Sequence, residues 1–246
     1  MAALFLDCAG SLTQVALRLP SGQAFEFVEE ASQGHGTQAL PLIRHALGQA
    51  GIELDELKLL AVGRGPGSFN GVRVALTTMK GLAFALRVPL IAAHRLEALA
   101  ASALPALVSR AGESTLSCIP LIDAGRGQYY WALYEGAELR ERHAPTLASM
   151  EEIAAALASE PAAASLRSGL WLCPLPSGEA EMASDSIAHR LDLESRVEPT
   201  EISPAATLEL LQGRYRRQGA DDPVALEAMH LRAFDAKLPA TPLRLS

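Results

Sequence analysis

Lysine, aromatic residues and cysteine are all scarce in this chain, and each scarcity removes a class of protein. Only three of the 21 basic residues are lysines, and 28 acidic residues outnumber them, leaving a formal charge of −7. A chain of that sign does not grip nucleic acid by itself, because phosphate contacts need a positive surface. Contact with RNA is therefore expected to be indirect, or confined to a local patch such as Arg214, Arg216 and Arg217, whose plainer reading is a solvated helix end. The three cysteines, Cys8, Cys118 and Cys173, lie far apart and form no CxxC pair. They are read as small buried residues in a reducing compartment. The six histidines include no HxxxH or HExxH pair, so no zinc-binding helix is expected and no metal site is assigned. No apolar run reaches the roughly 18 residues that a bilayer crossing requires. The opening MAALFLDCAG has no basic n-region and meets an acid at Asp7, so no leader is expected. The expectation is a soluble, cytoplasmic protein with no membrane contact.

What the chain does have is ordinary globular substance. Its 246 residues are 49% hydrophobic, enough for one large domain or two modest ones. With aromatics at 5%, the core must be largely Ala and Leu. Leu4 to Leu6 is a short buried-strand run ending at Asp7. Val15, Leu17 and Leu19 alternate up to the turn Pro20-Ser21-Gly22, and Phe25 and Phe27 continue beyond it, predicting a hairpin. Thr37 is placed as the cap of a helix carrying Leu40, Ile43 and Leu47, with Pro41 in its first turn and Gly51 as its terminator. Further strands are predicted at Leu59 to Val62 and Pro89 to Ala92, with helices at Val72 to Leu86 and Leu96 to Leu104. The order indicates an α/β sheet with an antiparallel portion. A polar stretch, Ser109 to Ser117, suggests a division into 1–108 and 109–246. Beyond it, Cys118 to Ile122 runs into Asp123 and a second hairpin, Tyr129 to Tyr134, which echoes the one after Asp7. A helix at Glu151 to Leu157, a strand near Leu170 to Cys173 and a helix at Pro204 to Leu211 complete the pattern.

The loop Gly63-Arg64-Gly65-Pro66-Gly67-Ser68-Phe69-Asn70-Gly71 is the most conspicuous local feature. Glycines ahead of a helix suggest either an anion cradle or a tight strand-to-helix turn. The spacing fits neither the dinucleotide fingerprint nor a P-loop, and Pro66 removes one donor. Asp7 and Asp123, each ending a strand before a hairpin, are candidate positions for a metal-bound nucleotide, or simply turn formers. Ser68 lies in no GxSxG elbow. The helix behind the loop has an apolar ridge at Val72, Leu76, Met79, Leu82 and Leu86. A second face of small residues comprises Gly71, Ala75, Thr78 and Ala85. It is read either as a buried central helix or as one whose small face admits another chain. No catalytic constellation is assigned.

Gly65-Pro66-Gly67-Ser68-Phe69-Asn70-Gly71-Val72-Arg73, followed by Lys80-Gly81-Leu82-Ala83 and Val88-Pro89-Leu90, closely resembles the hallmark segment of the TsaB family, roughly GPGSFTGxRxG and then KGLA. Leu96 to Ala100, Asp123 to Tyr134 and Leu4 to Leu17 resemble its other segments in the same order, so the likeness spans about residues 4–134. Cys8, Ala9 and Gly10 stand where the family has hydroxyl residues, Asn70 replaces Thr and Ala75 replaces Gly. The resemblance implies a two-lobed α/β fold of the actin-like ATPase or ASKHA (ribonuclease H-like) group. It implies a non-catalytic subunit that pairs with the catalytic subunit TsaD in threonylcarbamoyl transfer to N6 of adenosine at tRNA position 37, with TsaE as the ATPase. Self-association is implied when the partner is absent, and no cofactor. The helix at His35 to Gln49 and the helix from Ser68 would supply half of an intersubunit four-helix bundle. Its expected contacts are Leu40, Ile43, Leu47, Ser68, Phe69, Gly71, Val72, Ala75, Leu76, Thr78 and Met79. The alternative is a small-molecule kinase or nucleotide hydrolase of the same fold group. A metallopeptidase is the weakest option, for want of paired histidines.

Overall fold

The period-two and continuous apolar runs become two mixed sheets, each sandwiched by helices. The computed structural model describes residues 1–31, 34–111, 116–159, 170–176, 178–191 and 197–232. The first sheet takes β1 (Ala2–Asp7), β2 (Leu12–Arg18), β3 (Ala24–Glu30), β4 (Leu57–Gly63) and β5 (Leu90–Ala93), in the order β3-β2-β1-β4-β5. β1, β2 and β3 are antiparallel neighbours, whereas β1–β4 and β4–β5 are parallel. The second sheet takes β6 (Ser117–Asp123), β7 (Gln128–Glu135), β8 (Arg140–Ser149) and β9 (Leu170–Pro174), in the order β8-β7-β6-β9. It repeats the first four positions of the first sheet: an antiparallel meander, then a parallel strand beside its first member. This is a two-lobed α/β arrangement.

Strand alternation explains the layers. Leu4, Leu6, Leu60 and Val62 face α1 (His35–Ala50) and α2 (Phe69–Leu86). Ala3, Phe5, Leu59 and Ala61 face the opposite way, onto Leu208 and Leu211 of the last described helix. That helix, α6 (Pro204–Gln218), starts at a Ser203 cap with Pro204 in its first turn. In the second lobe, α3 (Arg95–Ala111) covers one face through Leu96, Leu99 and Leu107. α4 (Met150–Ser159) and α5 (Gly178–Leu191) cover the other through Ile153, Leu157 and Ile187. The chain thus returns to its first sheet after building the second, and α3 continues through residue 108.

Two local expectations are corrected. α1 starts at His35 with Gly34 as its cap, so Thr37 is not the cap; its hydroxyl donates back to the Gly34 carbonyl at 2.9 Å. Pro41 consequently lies inside the helix, beyond the first turn, on its exposed side. Gly51 does end α1, in the left-handed conformation. β8 and α5 have no counterpart among the sequence-based expectations, and α3 and α6 run longer than expected. The polar stretch from 109 to 117 lies partly outside the described residues.

Candidate functional site

α1 and α2 lie side by side on the first sheet. Burial splits the residues expected to meet a partner. Ile43, Leu47, Val72, Ala75, Leu76 and Met79 are buried in the chain's own core. Gly71 is buried too, packed so closely that a Cβ there would collide with the Cys8 carbonyl. The six side chains face inward because the sheet beneath needs an apolar cover. Thr78 is half-buried, while Leu40, Ser68 and Phe69 are exposed. The outward face comprises Thr37, Leu40, Arg44 and Gly48 on α1, and Arg73, Thr77, Gly81 and Phe84 on α2. Phe84 is 89% exposed and Leu40 51%. At the start of α2, Arg73 stacks over the Phe69 ring, 5.2 Å from its centroid. Sequence reasoning missed Phe84, although its spacing from Arg73, Thr77 and Gly81 follows the helical repeat.

The glycine-rich loop is a tight turn against the β1–β2 connection. Ser68 N–H donates to the Ala9 carbonyl at 2.7 Å, and the Ser68 hydroxyl caps α2 by accepting from Gly71 N–H at 3.2 Å. A Cβ on Gly67 would also meet the Ala9 carbonyl, which is why only glycine fits there. The Ser68 and Gly71 amides are thus engaged by the chain itself, and Ser68 is the cap of α2.

Asp7 and Asp123 play matching parts in the two lobes. Asp7 Oδ1 accepts from Ala9 N–H at 2.8 Å, and Asp123 Oδ1 accepts from Gly125 N–H at 2.7 Å. Each carboxylate closes its own hairpin loop. The other Asp7 oxygen lies 3.9 Å from the guanidinium of Arg95, whose side chain is 12% exposed. Burial lowers the Arg95 pKa, and Asp7 opposes that shift. The cation facing Asp7 is therefore supplied by the chain itself. Among the described residues, no group of three His, Cys, Asp or Glu side chains is placed to hold a metal ion.

A buried polar cluster between the lobes has no sequence signature. His94 Nδ1 accepts from Glu97 N–H at 3.2 Å, and His94 Nε2 lies 3.1 Å from the Tyr134 hydroxyl. Burial, helped by Arg64 and Arg214, pushes the imidazole down to about 3, so it is neutral. Burial raises the Glu97 carboxyl against the pull of Arg214, which contacts both its oxygens at 2.8 and 3.1 Å. Arg214 also donates to the Ala92 carbonyl. Of the three arginines in the suspected basic patch, Arg214 is thus turned inward, and only Arg216 and Arg217 are exposed. Tyr134 and Arg214 are too far in sequence from His94 and Glu97, and from each other, for any spacing rule to join the four.

A family model described as "TsaD: tRNA N6-adenosine threonylcarbamoyltransferase" matches residues 28–169, more than half of the chain. The tRNA threonylcarbamoyladenosine biosynthesis protein TsaB of Bacillus subtilis (strain 168) is 31% identical over 135 residues, 55% of this chain and 56% of that protein. Its namesake in Escherichia coli (strain K12) is 33% identical over 138 residues, 56% of this chain and 57% of that protein. The solved structure of YeaZ from Pseudomonas aeruginosa superposes with a TM-score of 0.69 at 25% identity, covering 94% of this chain and 99% of that one. The matches span about half the length of these curated relatives.

Proposed function

The chain belongs to the family TsaD: tRNA N6-adenosine threonylcarbamoyltransferase, as a TsaB-like member, and from that premise we propose that it is an accessory, non-catalytic subunit of threonylcarbamoyl transfer to tRNA. It acts by binding a TsaD-like catalytic subunit through the outward faces of α1 and α2. A TsaE-like ATPase joins the assembly, the isolated chain pairs with itself through the same face, and tRNA is reached only through the partner, in the cytoplasm. No helix among the described residues is long and apolar enough to cross a membrane. The lobe division near residue 108 belongs to the same proposal, with α6 assigned to the first lobe.

The observation that carries this reading is the outward face of the helix pair. It presents large apolar side chains, Leu40 and Phe84, beside glycines at 48 and 81 that have open space where a Cβ would be. Apolar anchors next to residues without side chains suit close approach of another pair of helices. The two hairpin carboxylates favour the same reading, since each is engaged by its own loop and Asp7 also faces Arg95.

Replacing both Leu40 and Phe84 by Asp should weaken binding of the TsaD-like subunit by about tenfold or more, the scale of losing an interface anchor. Both positions are exposed, so the melting temperature of the isolated variant should stay near that of the wild type. Titration calorimetry alongside thermal unfolding separates the two effects. Full-strength binding by the folded double variant would remove α1 and α2 from the interface.

A further inference from the structure

A cavity of about 750 Å³ opens between the lobes beside β5, away from the outward face of α1 and α2. Its size falls in the range of small-molecule sites. Its floor is the His94–Tyr134 pair, and one wall is the segment from Asp221 to Glu227. That wall is fixed: Asp221 N–H donates to the Leu90 carbonyl at 3.0 Å, and its carboxylate accepts from Ala92 N–H at 2.7 Å.

Two donors face this cavity. Because Glu97 N–H donates to His94 Nδ1, the proton of the neutral ring is on Nε2, and Tyr134 Oη accepts it. The O–H of Tyr134, a residue only 2% exposed, then has no acceptor among the described residues. Arg64 is the second donor. Its backbone is held by Ala93 O at 2.9 Å and Met229 N at 2.7 Å, yet its guanidinium has no ion pair or hydrogen bond among the described residues. A buried donor without an acceptor is costly, and a ligand oxygen removes that cost.

The charges of the lining decide what else the ligand must carry. Glu97 and Asp221 face Arg214 at 2.8 and 3.9 Å. Glu141, Asp222 and Glu227 complete the acidic lining, and Arg64 stands close enough to Glu97 and His94 to act on both electrostatically. A simple anion would be repelled by these carboxylates, while a simple cation would leave Tyr134 and Arg64 unmatched. A molecule with both charges satisfies both sets. We propose that this cavity binds a free α-amino acid, its carboxylate on Arg64 and the Tyr134 hydroxyl, its ammonium toward Glu141, Asp222 and Glu227. The site is independent of the helix face and stands whether or not that face binds a partner.

The test is calorimetric titration of the full chain with free L-amino acids, one at a time at millimolar concentration, and with the amide and N-acetyl forms of any that bind. At least one amino acid should bind saturably, with its amide and its N-acetyl form each weaker by about tenfold or more. Arg64→Gln should weaken binding to a similar degree while leaving the unliganded melting temperature nearly unchanged; Tyr134→Phe, which also removes the acceptor of the His94 Nε2–H, should weaken binding and lower the melting temperature. Three outcomes would overturn the proposal: no amino acid binds, the blocked forms bind as well as the parent, or neither variant affects binding.

Discussion

Gly81 occupies an interior position of α2, yet nothing lies within 4 Å of where its Cβ would be. A glycine in a helix interior costs about 0.5–1 kcal/mol relative to alanine, and no packing within the chain calls for one here. Gly81→Ala should therefore stabilise the isolated chain by about that amount in urea denaturation, whereas no change or a loss would reveal a hidden contact. Gly71 contrasts with it in the same helix, because its Cβ would strike the Cys8 carbonyl; the fold itself requires that glycine. His94 supplies a second test at this scale. Its folded-state value of about 3 lies below the ordinary 6.5, so the unfolded chain takes up a proton that the native chain refuses. The contribution is complete above about pH 6.5 and is lost as pH falls toward 3, at no more than about 1.4 kcal/mol per pH unit. Between about pH 7 and pH 5, His94→Gln should lose less stability than the wild type; equal losses would show that His94 is not the source. Neither residue was assigned these parts from the sequence, because neither an empty space beside a glycine nor the burial of a histidine leaves a local pattern.

The apolar runs of β1, β4 and β6 and the alternation in β2 and β3 were legible because a strand buried on one or both faces writes its environment into its composition. β8 was not, since this edge strand, RERHAPTLAS, is exposed over much of its length. α5 was equally silent: its sequence, GEAEMASDSIAHRL, buries mostly small residues, Ala180, Ala183 and Ala188, beside Ile187. α2 shows how far periodicity reaches. The spacing of Val72, Leu76 and Met79 marked an apolar face, but spacing alone cannot say whether that face meets the chain's own sheet or another molecule. The structure assigns it to the sheet, which moves the proposed contact surface to the opposite side of the helix. The paired effects of Leu40→Asp and Phe84→Asp on binding and on melting temperature belong at this scale, since they separate an outward helix face from a structural one.

Across the whole molecule, the second lobe repeats the strand order of the first, and each lobe ends its leading strand in an aspartate that closes the following turn. The two hairpins were visible as an echo in the sequence. The polar cluster between the lobes was not, because Glu97 and Arg214 meet only after the chain has built the second sheet and returned to the first. An architecture that keeps both lobes while engaging its hairpin carboxylates internally fits a subunit that works by association. The most direct test is mass spectrometry of tRNA nucleosides from the source cell depleted of this protein. Threonylcarbamoyladenosine should fall on depletion, return with the wild-type chain and fail to return with the Leu40→Asp, Phe84→Asp double variant. Undiminished threonylcarbamoyladenosine after depletion, or full rescue by the double variant, would contradict the account.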